Sequence, residues 1–320
     1  MTADLLRPRE SDEGLHAAEE TPLWNESWYF DFADPQQGIG GWVRLGLMPN
    51  ENVAWICALV SAPDLPTVAI VDLKAELPAN PTPANLAPVH TDAIDLALDP
   101  VVPLEEYRVS LRGRGQVHHD PATLLHGSIS EAGSEEIALA MDLTWTTAGI
   151  PYQYRLTTRY EIPCTVSGTL SYGDSTVTLN AVAGQRDHSW GVRDWWGGLE
   201  WMWCALHLDD GRHLHAVDAR LAGLPNTVIG YIQQDGAGLV ELESAGVEEV
   251  FAANGLPVSS SISLEPGGVK AAVQIVGHAP VRLVSPTGQV SHFPRAWVAV
   301  TTADGGKGVG WIEWNRRPES

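Results

Sequence analysis

The sequence predicts an all-β protein built from two consecutive antiparallel β-barrels, and three observations carry that reading. Runs of about four to eight β-branched and aromatic residues, punctuated by Gly, Pro, Asp and Asn, recur along nearly the whole chain. Helical periodicity is almost absent. At 320 residues the chain is longer than the roughly 100–200 residues of one ordinary domain, so two compact units fit it.

In chain order the expected strands are Trp28–Phe32, Trp42–Leu47, Val53–Val60, Thr67–Leu73, Ile137–Thr146, Tyr152–Tyr160, Ser175–Ala181, Leu199–Leu208, His213–Leu221, Thr227–Gln233, Ala271–Val276 and Arg295–Thr302. Leu15–Glu20 and Val247–Asn254 read as short helices. So many antiparallel strands leave edges that barrel closure removes. An internal echo suggests duplication: Glu26–Pro35 leads through a glycine turn into Gly41–Leu45, and Leu199–Gly211 leads into His213–Val217. The proline-rich Leu77–Val89 is taken as a loop within the first barrel. The domain boundary is placed near Pro163–Ser167, giving a tail over 1–22, a first domain over 23–164 and a second over 165–320.

Forty acidic against 19 basic side chains give a net charge of -21, which repels phosphate backbones and anionic lipid and argues against nucleic acid as a partner. No stretch of about 18 apolar residues and no signal-type N-terminus occurs, so a cytoplasmic protein without stable membrane insertion is expected. A homo-oligomer is left open. Cys57, Cys164 and Cys204 lie far apart and read as buried apolar residues rather than a disulfide framework or a nucleophile.

The densest chemistry is in Gln185-Arg-Asp-His-Ser-Trp-Gly-Val-Arg-Asp-Trp-Trp196. In an extended strand Arg186, His188 and Trp190 face one way and Asp187 and Ser189 the other, until Gly191 permits a bend. Such a bend could bring Arg186-Asp187 and Arg193-Asp194 together as an ion-pair cluster tying one barrel to the next. The functional alternative is that one carboxyl sits in apolar, Trp-lined surroundings that disfavour its charge and keep a proton available. Asp187 is the first candidate for that acid and Asp194 the second, with His188 orienting or reloading it. Arg186, Arg193, Trp190, Trp195, Trp196, Trp201 and Trp203 form the expected substrate-contacting set, the indoles offering π faces to a developing cation.

This run resembles a known family when taken with Asn25-Glu-Ser-Trp-Tyr-Phe-Asp-Phe32, Arg159-Tyr-Glu-Ile-Pro-Cys-Thr-Val-Ser-Gly168 and Gly310-Trp-Ile-Glu-Trp-Asn315. It is similar to a group of uncharacterised bacterial proteins bearing Arg-Asp-His-Ser-Trp-Gly, related to the AttH and carotenoid 1,2-hydratase (hydroxyneurosporene synthase) superfamily. The resemblance spans residues about 24–316 by motif order. It implies that the barrels are lipocalin-like (calycin-type) and that the ligand is lipophilic, terpenoid- or polyketide-like. It also implies hydratase, lyase, isomerase or cyclase chemistry without cofactors. By the same resemblance Asp187 and His188 fall on the shared acidic and imidazole positions and Trp190 on the aromatic one. The first half matches the carotenoid hydratases poorly, so it does not carry a carotenoid substrate over.

Other motifs fail on context. Gly38-Ile-Gly-Gly41 opens no helix and reads as a hairpin turn, and no Gly-x-Ser-x-Gly elbow exists. His207, His213 and His215 would share a face across a three-residue turn but not across a two-residue one, and no metal is expected there. The leading expectation is therefore an enzyme acting on a lipophilic small molecule. A non-catalytic carrier of such a ligand and a purely structural cluster are the alternatives.

Overall fold

The computed structural model describes residues 6–63, 65–78, 86, 88–127, 135–235, 238–285 and 287–317. The first sheet contains β1 (Trp24–Asp34), β2 (Ile39–Met48), β3 (Val53–Ala62), β4 (Leu65–Ala75), β5 (Val89–His90), β6 (Ile94–Val102), β7 (Glu106–His118), β8 (Glu136–Thr147), β9 (Tyr152–Gln153), β10 (Arg159–Tyr172) and β11 (Ser175–Val192). Its order is β4-β3-β2-β1-β11-β10-β8-β7-β6-β5, and pairing of β4 with β7 closes it into a barrel.

The second sheet contains β12 (Leu199–Leu208), β13 (Arg212–Leu221), β14 (Thr227–Gln234), β15 (Gly238–Glu241), β16 (Ser244–Phe251), β17 (Pro257–Glu265), β18 (Val269–His278), β21 (Arg295–Thr302) and β22 (Lys307–Asn315). Between its last strands lies a separate hairpin, β19 (Val281–Val284) with β20 (Val290–Phe293). The second order, β15-β14-β13-β12-β22-β21-β18-β17-β16, repeats the plan of the first: an opening hairpin whose first strand pairs with the last strand of its unit. The echoed segments are those opening hairpins, β1–β2 and β12–β13. The protein is all-β, with two lipocalin-like barrels in series, and no helix among the described residues is long and apolar enough to cross a membrane.

Strand parity sorts the side chains into three layers. Even-numbered Trp28 and Phe30 fill the first barrel with Val43, Leu45 and Leu143. Met202, Cys204, Leu206, Ile312 and Trp314 fill the second. The opposite faces of the same strands meet between the barrels, where Tyr29, Trp42, Trp55, Trp203, Trp297 and Trp311 make a third cluster. Three of these indoles cross the interface to donate to backbone carbonyls of the other barrel: Trp42 to Ala279 (3.0 Å), Trp297 to Ser61 (3.1 Å) and Trp311 to Phe32 (2.9 Å). Because both faces are covered, every residue of β1 is buried, and its hydrophobic alternation is replaced by a polar set, Asn25, Ser27 and Asp31, facing the interface.

Several expectations need correction. The boundary at 164/165 falls inside β10, and β10 and β11 pair within the first sheet, so the motif belongs to the first barrel and the second begins at Leu199. Within the expected 1–22 tail, the described residues 6–22 are not free: a 3-10 turn at Glu10–Glu13 buries Asp12 and Glu13. Tyr152–Tyr160 is split between β9 and β10. Val247–Asn254 is not a helix, since its first five residues lie in β16, and Leu15–Glu20 is irregular. Helix among the described residues amounts to one turn, Thr123–His126, and two 3-10 turns. Most of the proline-rich loop lies outside the described residues. Cys57, Cys164 and Cys204 are free and buried, and burial pushes their thiols up to about 11, 12 and 12.

Candidate active site between the barrels

Strand β11 is sandwiched between β1 and β10, with Trp28 opposite His188, Tyr29 opposite Asp187 and Phe30 opposite Arg186. Asp187 and Ser189 face the second barrel, while Arg186, His188 and Trp190 face the mouth of the first. The ladder runs on to Val192, passing Gly191 at φ 105°, a backbone conformation that favours glycine.

Asp187 and Ser189 open onto an interdomain cavity of about 320 Å³. Its walls are apolar, with Trp42, Trp55, Trp195, Trp201, Trp203 and Phe293, and its polar groups include Arg44, Arg159, Asp187, Arg295 and Glu313. Two buried carboxylates compete for Arg159, whose Nη2 lies 2.6 Å from Asp187 Oδ2 and whose Nε donates to Glu161 Oε1 at 2.8 Å. Glu161 also accepts from Gln185 Nε2 (2.9 Å) and Trp203 Nε1 (3.0 Å). Burial opposes its ionisation, yet Arg159, His215 and these donors outweigh that and hold it below the usual carboxylate range. For Asp187 the balance reverses: burial, with the Glu161 charge added, prevails over Arg159 and pushes it up to about 7. Of the two carboxylates, Asp187 is therefore the one that takes up a proton first as pH falls. Behind them Tyr154 Oη lies 2.6 Å from His215 Nε2 and 3.1 Å from Glu161 Oε1. Burial lowers the pKa of His215, and its Nδ1 donates to Cys204 O at 2.9 Å, leaving Nε2 to accept from the tyrosine.

A different cluster occupies the opposite face. Arg186 Nη1 donates to both Glu13 oxygens (2.8 and 3.1 Å), with its guanidinium 5.3 Å from the Tyr107 ring. His188 Nδ1 lies 2.7 Å from Asp12 O and its Nε2 3.0 Å from Glu26 Oε1, and the ring stacks on Trp28 at 4.4 Å. Trp190 stacks on His16 at 3.7 Å, and His16 Nδ1 lies 2.7 Å from the same Glu26 oxygen. His16, Glu26 and His188 are the one group among the described residues with three ligand atoms within 4.8 Å of one another, so they could hold a metal ion. The three-residue turn does join β12 to β13 and pairs His207 with His213, Nδ1 to Nδ1 at 2.9 Å, but His215 is engaged by Tyr154.

The structure thus divides the expected residues. Asp187, Arg193, Asp194, Trp195, Trp201 and Trp203 line the cavity. Arg186, His188 and Trp190 do not, and His188 is separated from Asp187 by the strand itself. Trp196 packs edge-on against Trp55, with ring centroids 6.2 Å apart. The two Arg-Asp pairs do not cluster: Arg193 donates to Val192 O and Thr158 O, and Asp194 Oδ1 accepts from the Trp196 amide. Sequence reasoning missed Tyr154, Arg159, Glu161, Arg44, Arg295 and Glu313. Arg159, Glu161 and Glu313 lie in segments already singled out for their resemblance, and the two-residue spacing of Arg159 and Glu161 places them on one face. Arg44 and Arg295 carry no local signal, because only pairing between distant strands brings them in.

A family model described as Domain of unknown function (DUF7064) matches residues 9–318. No curated protein matches the sequence. Among solved structures, a candidate AttH of Nitrosomonas europaea is similar over 98% of this chain and 98% of its own, with TM-score 0.65 and 14% identity. Kievitone hydratase from Nectria haematococca is similar over 91% of this chain and 88% of its own, with TM-score 0.60 and 12% identity. CghA covers 93% of this chain and 90% of its own, with TM-score 0.56 and 10% identity. These likenesses establish a shared fold across both barrels.

Proposed function

The chain belongs to the DUF7064 family, and we propose that it is a cofactor-independent enzyme acting on an alkene-bearing lipophilic small molecule held in the interdomain cavity. The observation that carries this reading is Asp187, a buried carboxyl pushed up to about 7 beside a Trp-lined volume. Protonated Asp187 donates to one alkene carbon and leaves a cation on the other, which the indole faces and the new carboxylate stabilise. Arg159 neutralises that carboxylate. Addition of water, with its proton returned to Asp187, completes a hydration. Loss of a neighbouring proton to Asp187 gives an isomer, and attack by a second alkene within the ligand forms a ring and a new cation, which loses a proton to the Asp187 carboxylate. The name of one structurally similar protein, kievitone hydratase, supports the first of these outcomes.

The test begins with solvent extraction of the purified protein and mass spectrometry of any lipophilic molecule that travels with it. Incubating that molecule with the protein in H2(18)O should give an 18O-labelled product if water adds, and in D2O deuterium incorporation reports the proton transfer. Asp187→Asn should lower turnover by about 100-fold or more with little change in affinity. Full activity in a well-folded Asp187→Asn protein would remove Asp187 as the acid and leave Asp194 as next candidate. Retained binding without any turnover in the wild type would make the protein a carrier.

A further inference from the structure

Four arginines, Arg44, Arg159, Arg193 and Arg295, line the cavity of a chain whose net charge is -21. The acidic groups facing them are Asp187, Glu161, Glu313 and, at the exposed rim, Asp194. Arg159 is committed to Glu161 and Asp187. Arg193 donates only to main-chain carbonyls, and Arg44 has a long contact to Asn25 Oδ1 at 3.4 Å. Burial, with Arg159 and Arg44 adding to it, pushes Arg193 down to about 10.

Arg295 is the decisive residue. It is 7% exposed and lies with Cζ 4.4 Å from the Tyr29 ring centroid and 4.5 Å from that of Trp42. One nitrogen, Nη2, pairs with Glu313, while Nε and Nη1 are buried without a hydrogen-bond partner. Buried donors are ordinarily satisfied, and of Arg186 and Arg295, which both have two unmet donors, Arg295 is the one that lines the cavity; its planar guanidinium, packed against two rings, is preorganised for an oxygen acceptor. A purely hydrocarbon ligand would leave these donors unmet.

We infer that the cavity takes an amphipathic ligand whose apolar body carries an acidic oxygen, a carboxylate, phenolate or enolate, and that Arg295 receives that oxygen. This rests on the small-molecule reading above and adds the ligand's chemical class. The strongly acidic exterior disfavours nonspecific adsorption of such an anion, so the binding is confined to the cavity.

Quenching of intrinsic Trp fluorescence by 2-naphthoate and by its neutral isostere 2-naphthamide tests the inference in the full-length protein. At a pH near 8 the carboxylate should bind about tenfold more tightly or better, and the preference should persist in about 0.5 M NaCl because a buried pair is poorly screened. Arg295→Gln should remove most of that preference, lowering naphthoate affinity by a much larger factor than naphthamide affinity. If Arg295→Gln does not fold, Arg44→Gln should reduce the preference by a smaller factor. Equal binding of the two probes to the wild type, or a preference lost in salt, would overturn the anion inference while leaving the Asp187 reading to its own turnover test. Binding of neither probe would also overturn it, and turnover of the copurifying molecule would still decide the proposed reaction separately.

Discussion

The two faces of β11 share one sequence but differ in how their polar groups are engaged. On the first-barrel face, Arg186 is ion-paired to Glu13, His188 has a partner at each ring nitrogen, and Trp190 lies flat on His16. Three of those partners, Asp12, Glu13 and His16, come from the N-terminal segment, so this face clasps the chain's own beginning over the barrel mouth. On the other face Asp187 adjoins free volume and one arginine binds it. Density of charged and aromatic residues marks both faces equally. Arg186 too keeps two buried nitrogens, Nε and Nη2, without a hydrogen-bond partner, so what separates an architectural cluster from a chemical one here is where free volume adjoins the polar groups.

The largest effect expected from breaking this contrast is on the clasp. Glu13→Gln leaves Arg186 buried without its counter-charge and should cost about 3–5 kcal/mol of stability by denaturant unfolding. Turnover measured well below the unfolding transition should remain near wild type. A Glu13→Gln protein as stable as wild type would mean that the N-terminal segment does not hold the barrel mouth.

Next in size is a pH effect confined to the cavity face. Folded Asp187 keeps its proton to about 7, against an ordinary value of 3.8. Between those values the folded state binds more protons than the unfolded one, so stability from this group is present at low pH and lost as pH rises through 7. Asp187→Asn removes the dependence. The stability difference between wild type and variant should therefore move against the wild type by on the order of 2 kcal/mol from about pH 5.5 to about pH 8. Asp31, which burial pushes up to about 8, is common to both proteins and cancels. In turnover the same group predicts a falling rate above pH 7, and a difference that is flat with pH would remove Asp187 as the group titrating there.

His188→Gln follows. A glutamine can keep one of the two hydrogen bonds that the imidazole makes, to Asp12 O and to Glu26, and the loss should be about 1–3 kcal/mol. Turnover should stay within about threefold of wild type, since the strand separates His188 from the cavity. A loss as large as that of Asp187→Asn would show the two faces acting as one unit.

Much of this division was legible before the structure. Period-two alternation placed Arg186, His188 and Trp190 opposite Asp187 and Ser189, and the strands Leu199–Leu208 and Arg295–Thr302 have the expected bounds. Alternation does not say which sheet a face meets, so the motif was assigned to the wrong barrel and His188 was linked to Asp187. Val247, Val250 and Phe251 have helical spacing, but β16 lies at a sheet edge with alternating exposure, where two adjacent glutamates interrupt the apolar pattern. The charged 10–13 run reads as solvated until Arg186 supplies the partner that buries Glu13. Arg295 is about a hundred residues from the motif and reaches the cavity only through β21–β22–β12 pairing.

The smallest expected effect sharpens the contrast most directly. Trp190 is the motif's most conspicuous aromatic and was expected to contact substrate, yet its ring lies on His16 outside the cavity. Trp190→Leu removes a stacked pair and should cost about 1 kcal/mol in unfolding, with 2-naphthoate affinity unchanged within about twofold. Trp203, thirteen positions on, faces the cavity and donates to Glu161 at 3.0 Å. Trp203→Leu deletes cavity wall and releases one of the donors that keep Glu161 ionised, so it should weaken naphthoate by about tenfold or more. Measured together, the pair separates position from aromatic content: both residues are half-buried or buried indoles from the same stretch of chain, and only their orientation toward the volume differs. Equal weakening by the two substitutions would mean that the ligand reaches the barrel mouth as well, and the separation of the faces would fail at the point where it makes its most specific claim.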